Sequence, residues 1–68
     1  MSITLKEWLD ANAKRQTEVA IQLGCTQSQI SRILHQKARP GSELAFAIEE
    51  MTQGEVTAKR LLLMEVAA

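Results

Sequence analysis

Apolar residues recur at helical spacing along most of this chain, in short stripes separated by glycine, proline and residues suited to helix caps. Leu5, Trp8 and Leu9 stand at i, i+3 and i+4 behind Thr4 and Glu7, which have capping-box spacing, and they predict a first helix over 4–13. Val19, Ala20 and Leu23 share one side of a second helix over 15–23, closed by Gly24, the residue best able to adopt a left-handed backbone. Thr26 and Gln29 repeat the capping-box spacing and open a third helix over 27–36, with Ile30, Ile33 and Leu34 as its stripe. The stretch HQKARPGS from His35 to Ser42 forms no stripe and reads as a connection. Ser42 is expected to cap a fourth helix over 42–52, with Leu44, Ala45, Ile48 and Met51 inward, Glu49 and Glu50 outward, and Phe46 off the centre of the stripe. Thr57 can cap a fifth helix over 57–66, in which Leu61, Leu62, Leu63, Met64 and Val66 occupy more of the circumference than one core face needs. Together these predict one all-α domain of five helices over 1–68.

The tightest junction lies within Gln16 to Leu34. Two short helices meet there at a turn of a few residues, and the small Ala20 lets their backbones approach, which is helix-turn-helix geometry. Opposite the Ile30/Ile33/Leu34 stripe stand Ser28, Arg32 and His35, with Gln27 and Ser31 on the flank, and none of them is acidic. Gln pairs bidentately with adenine and Arg with guanine, so this outer face suits the DNA major groove. Gln27, Ser28, Ser31 and Arg32 are the candidate base readers.

Composition narrows the alternatives. A chain of 68 residues is near the lower limit for folding without metal, disulfide or oligomerisation. Hydrophobic residues make up 46% and aromatics only 3%, so the core must be aliphatic around Trp8 and Phe46, a mixture that favours helices. Trp8 belongs to the core stripe, its indole N–H seeking a backbone or water partner. A single cysteine, Cys25, excludes an internal disulfide and a cysteine-rich zinc site, reads as a small buried hydrophobe, and fits a reduced cytoplasmic setting. No apolar run is long enough to span a bilayer, and no signal peptide is evident.

The net charge is zero, but it is unevenly placed. Between Lys14 and Arg39, the positive residues Lys14, Arg15, Arg32, Lys37 and Arg39 face a single Glu18, while both flanking segments are net negative. The positive segment coincides with the helix-turn-helix, as phosphate binding requires. Lys14, Arg15, Gln16, Thr26, His35, Lys37 and Arg39 are therefore the candidates for phosphate or minor-groove contact. Arg39, held extended by Pro40, can reach either. Catalytic machinery is not visible. His35 and Cys25 are the only members of their types and lie apart, Glu49 and Glu50 point about 100° apart on a helix, and no Gly-rich phosphate loop is present. No catalytic residue, metal ligand, cofactor or small-molecule substrate is expected.

The order Gln16, Ala20, Gly24, Ile30 and Ile33 resembles the helix-turn-helix of the phage Cro and repressor family. The likeness extends upstream through ITLKEWLD, Ile3 to Asp10, and downstream through HQKARPGSELAFAIEEMT, His35 to Thr52, with Arg39-Pro40 placed like the family's basic-Pro element. It covers about fifty residues, with Cys25 where Val is usual and Arg15 where a Ser or Thr cap is common. The resemblance implies a lambda-repressor-like fold and a sequence-specific transcriptional repressor on a pseudopalindromic operator in double-stranded DNA. Some members finish in strands, so a β-hairpin after Gly54 is the alternative for the C-terminal third, although Ala58, Lys59, Arg60 and the lack of alternation favour helix. The surplus apolar surface predicts a homodimer through Phe46, Leu61, Leu63 and Met64, at least on DNA, with Leu62 and Val66 in the core. Two other readings stand beside it: an antitoxin or autoregulator with a protein partner, and a helical protein-interaction module.

Overall fold

The computed structural model of the chain describes residues 3–66. Five helices follow one another, α1 (Leu5–Ala11), α2 (Gln16–Leu23), α3 (Gln27–Leu34), α4 (Ser42–Met51) and α5 (Ala58–Leu63), and no strand occurs among the described residues. The hairpin alternative after Gly54 is thus excluded.

Short helices depend on their ends, because four N–H groups at the start of each have no partner within the helix. Two capping boxes meet this need. At α1 the Glu7 N–H donates to Thr4 Oγ1 at 3.1 Å, and the Thr4 N–H donates back to Glu7 Oε1 at 3.1 Å. At α3 the Gln29 N–H donates to Thr26 Oγ1 at 3.2 Å and the Thr26 N–H to Gln29 Oε1 at 3.0 Å. Thr57 caps α5 by accepting from the Arg60 N–H at 3.2 Å, and Glu49 Oε1 accepts from the Ala58 N–H at 2.9 Å. Ser42, expected to cap α4, is instead its first helical residue. Gly41 takes the cap position and makes no side-chain bond.

The C-terminal ends of α1 to α4 share one solution. A left-handed residue follows the last turn, and the next N–H folds back five residues: Lys14 to Leu9 O at 3.0 Å, Cys25 to Ala20 O at 2.9 Å, Lys37 to Arg32 O at 2.8 Å and Gly54 to Glu49 O at 2.8 Å. The left-handed residue is Gly24 after α2, as expected, but Ala13, Gln36 and Gln53 after the others, with φ of 52°, 57° and 55°. These turns stop α1 at Ala11 and α3 at Leu34, two residues short of the expected ends. The fifth helix ends at Leu63, where Met64 turns extended (φ −66°, ψ 145°), instead of continuing to 66.

Inward residues from all five helices form one aliphatic core around Trp8, including Leu5, Leu9, Val19, Ile30, Ile48 and Leu61. The indole N–H of Trp8 donates to Glu55 Oε2 at 3.0 Å, a carboxylate where a backbone or water partner was expected, and the Ile3 N–H donates to Glu55 O at 2.9 Å. Thr52 is fully buried; its hydroxyl donates to Ile48 O at 2.9 Å and accepts from the Val56 N–H at 3.1 Å, tying the end of α4 to the segment leading into α5. No buried side-chain polar atom among the described residues lacks a partner.

Two assignments on the last segment change. Leu61, expected at an interface, is 4% exposed and belongs to the core, while Val66, expected in the core, lies beyond the end of α5 and is exposed. Leu62 packs partly buried against the core as expected.

Candidate nucleic-acid interface

The turn between α2 and α3 comprises Gly24, Cys25 and Thr26. Gly24 takes φ 73°, the Cys25 N–H returns to Ala20 O, and Thr26 starts the next helix, so two helices pack on one another across three residues. Ala20 is buried and small, while Ile30 and Ile33 anchor α3 from beneath. With that stripe fixed inward, the helical period turns Gln27, Ser28, Arg32 and His35 to solvent, and Ser31 is half-buried on the flank. The four candidate base readers thus share one rigid helix whose first turn is tied down by its capping box.

The start of α3, like that of the short α5, carries no acid, unlike the other three helices. First turns carry Glu7 in α1, Glu18 in α2 and Glu43 in α4, but no acid in α3. An acid in this position stabilises a helix through its dipole by about 0.3–1 kcal/mol. The two boxes allow a direct comparison: Glu7 and Gln29 make the same bonds to a preceding threonine, yet only Glu7 is charged. Hydrogen bonds from the Thr4 backbone N–H, then from its hydroxyl, hold the Glu7 carboxyl below its ordinary pKa. Gln29 closes the same ring without bringing an anion to the exposed end of α3.

Cations flank this face on both sides in sequence. After α3, the Lys37 N–H is bonded to Arg32 O, keeping the backbone of Lys37 at the last turn. Pro40 is buried and anchors the connection, leaving Lys37 and Arg39 exposed. Before α2, Lys14 and Arg15 are exposed and Gln16 is half-exposed as the first helical residue. Arg15 supplies no side-chain cap, so the first N–H groups of α2 are not satisfied by a neighbouring side chain. Thr26 is engaged as a cap, with its hydroxyl bonded within the box. His35 terminates α3 through its backbone, leaving its ring exposed. Burial raises the pKa of Cys25, which makes its thiol a poor nucleophile.

The residues expected at an interface form a separate group on α4 and α5. Phe46 and Leu63 are 59% and 68% exposed, but Met64, just beyond α5, packs half-buried against the core, and Leu61 is in the core. Two hollows flank Leu63. One, about 460 Å³, is lined by Leu5, Ile33, Leu34, Val56 and Met64; the other, about 410 Å³, by Phe46, Glu49, Ala58, Lys59 and Leu62. Nothing in the linear sequence signals the first, whose walls come from α1, α3 and the segments on either side of α5.

Among the described residues, no group of three or more His, Cys, Asp or Glu side chains could hold a metal ion, and no helix is long and apolar enough to cross a membrane. No family model, curated protein or solved structure matches the chain.

Proposed function

We propose that this protein is a sequence-specific DNA-binding regulator, a Cro-like repressor that occupies an operator in cytoplasmic DNA through a helix-turn-helix formed by α2 and α3. The observation that carries this reading is the outer face of α3: Gln27, Ser28 and Arg32 are exposed on a helix capped without a negative charge. Selection for folding alone favours an acid at that end. A phosphate backbone disfavours one.

In this reading α3 lies in the major groove, with Arg32 reading guanine, Gln27 reading adenine, Ser28 contacting a third base and Ser31 reaching either a base or a phosphate. The Gln16 side chain and its backbone N–H, at the start of α2, receive a phosphate, while Glu18 of the same turn stands about 200° away round the helix. Lys14, Arg15, Lys37 and Arg39 contribute backbone affinity without sequence preference. Thr26 and His35 sit at the two ends of α3 and add contacts at the groove edge.

Selection of bound sites from random duplex DNA tests the proposal. An enriched motif is expected. On it, Arg32→Ala costs about 1–3 kcal/mol and relaxes specificity at one position, whereas Lys37→Ala weakens all sequences alike. Failure to enrich any sequence, or full specificity retained in Arg32→Ala, overturns the reading.

A further inference from the structure

The hollow of about 460 Å³ between α1, the end of α3 and the segments flanking α5 combines an apolar interior with a cationic edge. Leu5, Ile33, Val56 and Leu61 are buried and make its floor, and the half-buried Leu34 and Met64 make its walls. Lys6, Gln36 and Arg60, all exposed, stand at its edge. No acid lines it. Other hollows differ in charge: Glu49 offsets Lys59 in the one at α4 and α5, and Glu50, with no cation, lines a third beside Leu23 and Met51.

We propose that the hollow between α1, α3 and α5 binds a small amphiphilic carboxylate, an alkyl chain with one anionic head. The interior takes the chain, since each CH₂ withdrawn from water favours binding and an aliphatic floor offers no partner to a polar body. The edge takes the head. An ammonium and a guanidinium attract an anion, the guanidinium presents its five N–H donors in a fork that matches a carboxylate, and the Gln36 side-chain amide adds a neutral donor. Arg60 also lies close enough to Glu7 to help lower its pKa. Glu7, however, accepts from the Thr4 N–H and hydroxyl in the capping box and does not line the hollow, so two cations against this one acid leave the edge positive. Walls drawn from several elements enclose a concave space, which suits a single free molecule and not a flat lipid surface.

One wall of the site is the inward stripe of α3. Ile33 and Leu34 follow directly on Arg32 in the last turn, so an occupant bears on the helix that carries the candidate base readers. Any change it causes in operator affinity is matched by an equal change in its own affinity for the DNA-bound protein. That step rests on the DNA reading; the binding itself does not.

Titration of the full chain with sodium octanoate below its micellar concentration, followed in NMR amide and methyl spectra without DNA, tests the site. Shifts are expected at Leu5, Ile33, Val56, Leu61 and Met64 and not at Ile21 or Phe46, exposed apolar side chains elsewhere. The expected dissociation constant is on the order of 1 mM. Affinity should rise about two- to fourfold per CH₂ from hexanoate to decanoate, and octyltrimethylammonium should bind at least about tenfold more weakly than octanoate. Lys6→Glu, an exposed change in the first turn of α1 where an acid suits the helix dipole, is expected to keep the fold and weaken octanoate about tenfold. Gln36→Gly relieves a left-handed backbone at φ 57° and is expected to raise the melting temperature while weakening octanoate about threefold. Shifts concentrated at Ile21 or Phe46, equal binding of the ammonium, affinity unaffected by Lys6→Glu, or attachment to anionic phospholipid vesicles without binding of octanoate overturns the proposal. Octanoate binding with no enriched DNA motif refutes the operator reading alone, and an enriched motif without octanoate binding refutes this one alone.

Discussion

Replacing Gln29 by Glu should make the protein more stable and a worse DNA binder. The side-chain oxygen of Gln29 already lies 3.0 Å from the Thr26 nitrogen and 3.3 Å from its hydroxyl. A glutamate can adopt the same ring, as Glu7 does at α1. Its charge would interact favourably with the helix dipole, adding about 0.3–1 kcal/mol to folding stability. The same carboxylate, facing a DNA phosphate, would oppose binding by about 1–2 kcal/mol, towards the water end of the range for close like charges, roughly 5- to 30-fold per copy. Thermal melting and fluorescence-anisotropy titration on the selected site read the two effects separately. A melting temperature up by a few degrees with weaker binding is expected. Unchanged affinity in a folded Gln29→Glu would refute the placement of the start of α3 against phosphates, and a lower melting temperature would refute the capping comparison.

Other expectations concern the scaffold. Ala13 is left-handed at φ 52°, a conformation that costs an L-residue about 1–2 kcal/mol, so Ala13→Gly should raise stability by about 1 kcal/mol in a urea titration. Thr52→Val keeps the shape but leaves the Val56 N–H buried without its acceptor, and should cost about 1–3 kcal/mol. Glu7 has its folded pKa lowered, so its contribution is present above the ordinary carboxylate range and is lost as the pH falls through its folded value. Melting followed on acidification should show a shallower loss in Glu7→Gln, in which a neutral amide makes the bonds that Gln29 makes at α3.

Much of the fold was legible where a local signal fixes it. Thr4/Glu7 and Thr26/Gln29 form the boxes their spacing implies, Thr57 caps α5, and Gly24 takes the left-handed turn. The same logic misplaced helix ends where no glycine marks them. Ala13, Gln36 and Gln53, all exposed, take the left-handed turn without being glycine, and residue type does not announce this. The phase of α5 was beyond reach for a different reason. Six residues make less than two turns, so Leu61, Leu62 and Leu63 are equally apolar, and only the packed structure decides that the first is buried and the last exposed. Trp8 and Glu55 are 47 residues apart, and no periodicity connects them. For the candidate site, exposure of Gln27, Ser28 and Arg32 followed from the stripe opposite them. The hollows beside Leu63 did not, since their walls come from several helices.

The central claim is that α3 and the cations flanking the two-helix unit face a phosphate backbone. Affinity for the selected duplex, measured across a salt series, tests it most directly. With Arg32 committed to a base, Lys14, Arg15, Lys37 and Arg39 remain for phosphates, and log K should fall linearly with log salt with a slope of about −4 per bound copy. A slope near zero, or binding that does not distinguish the duplex from an uncharged competitor surface, would contradict the account.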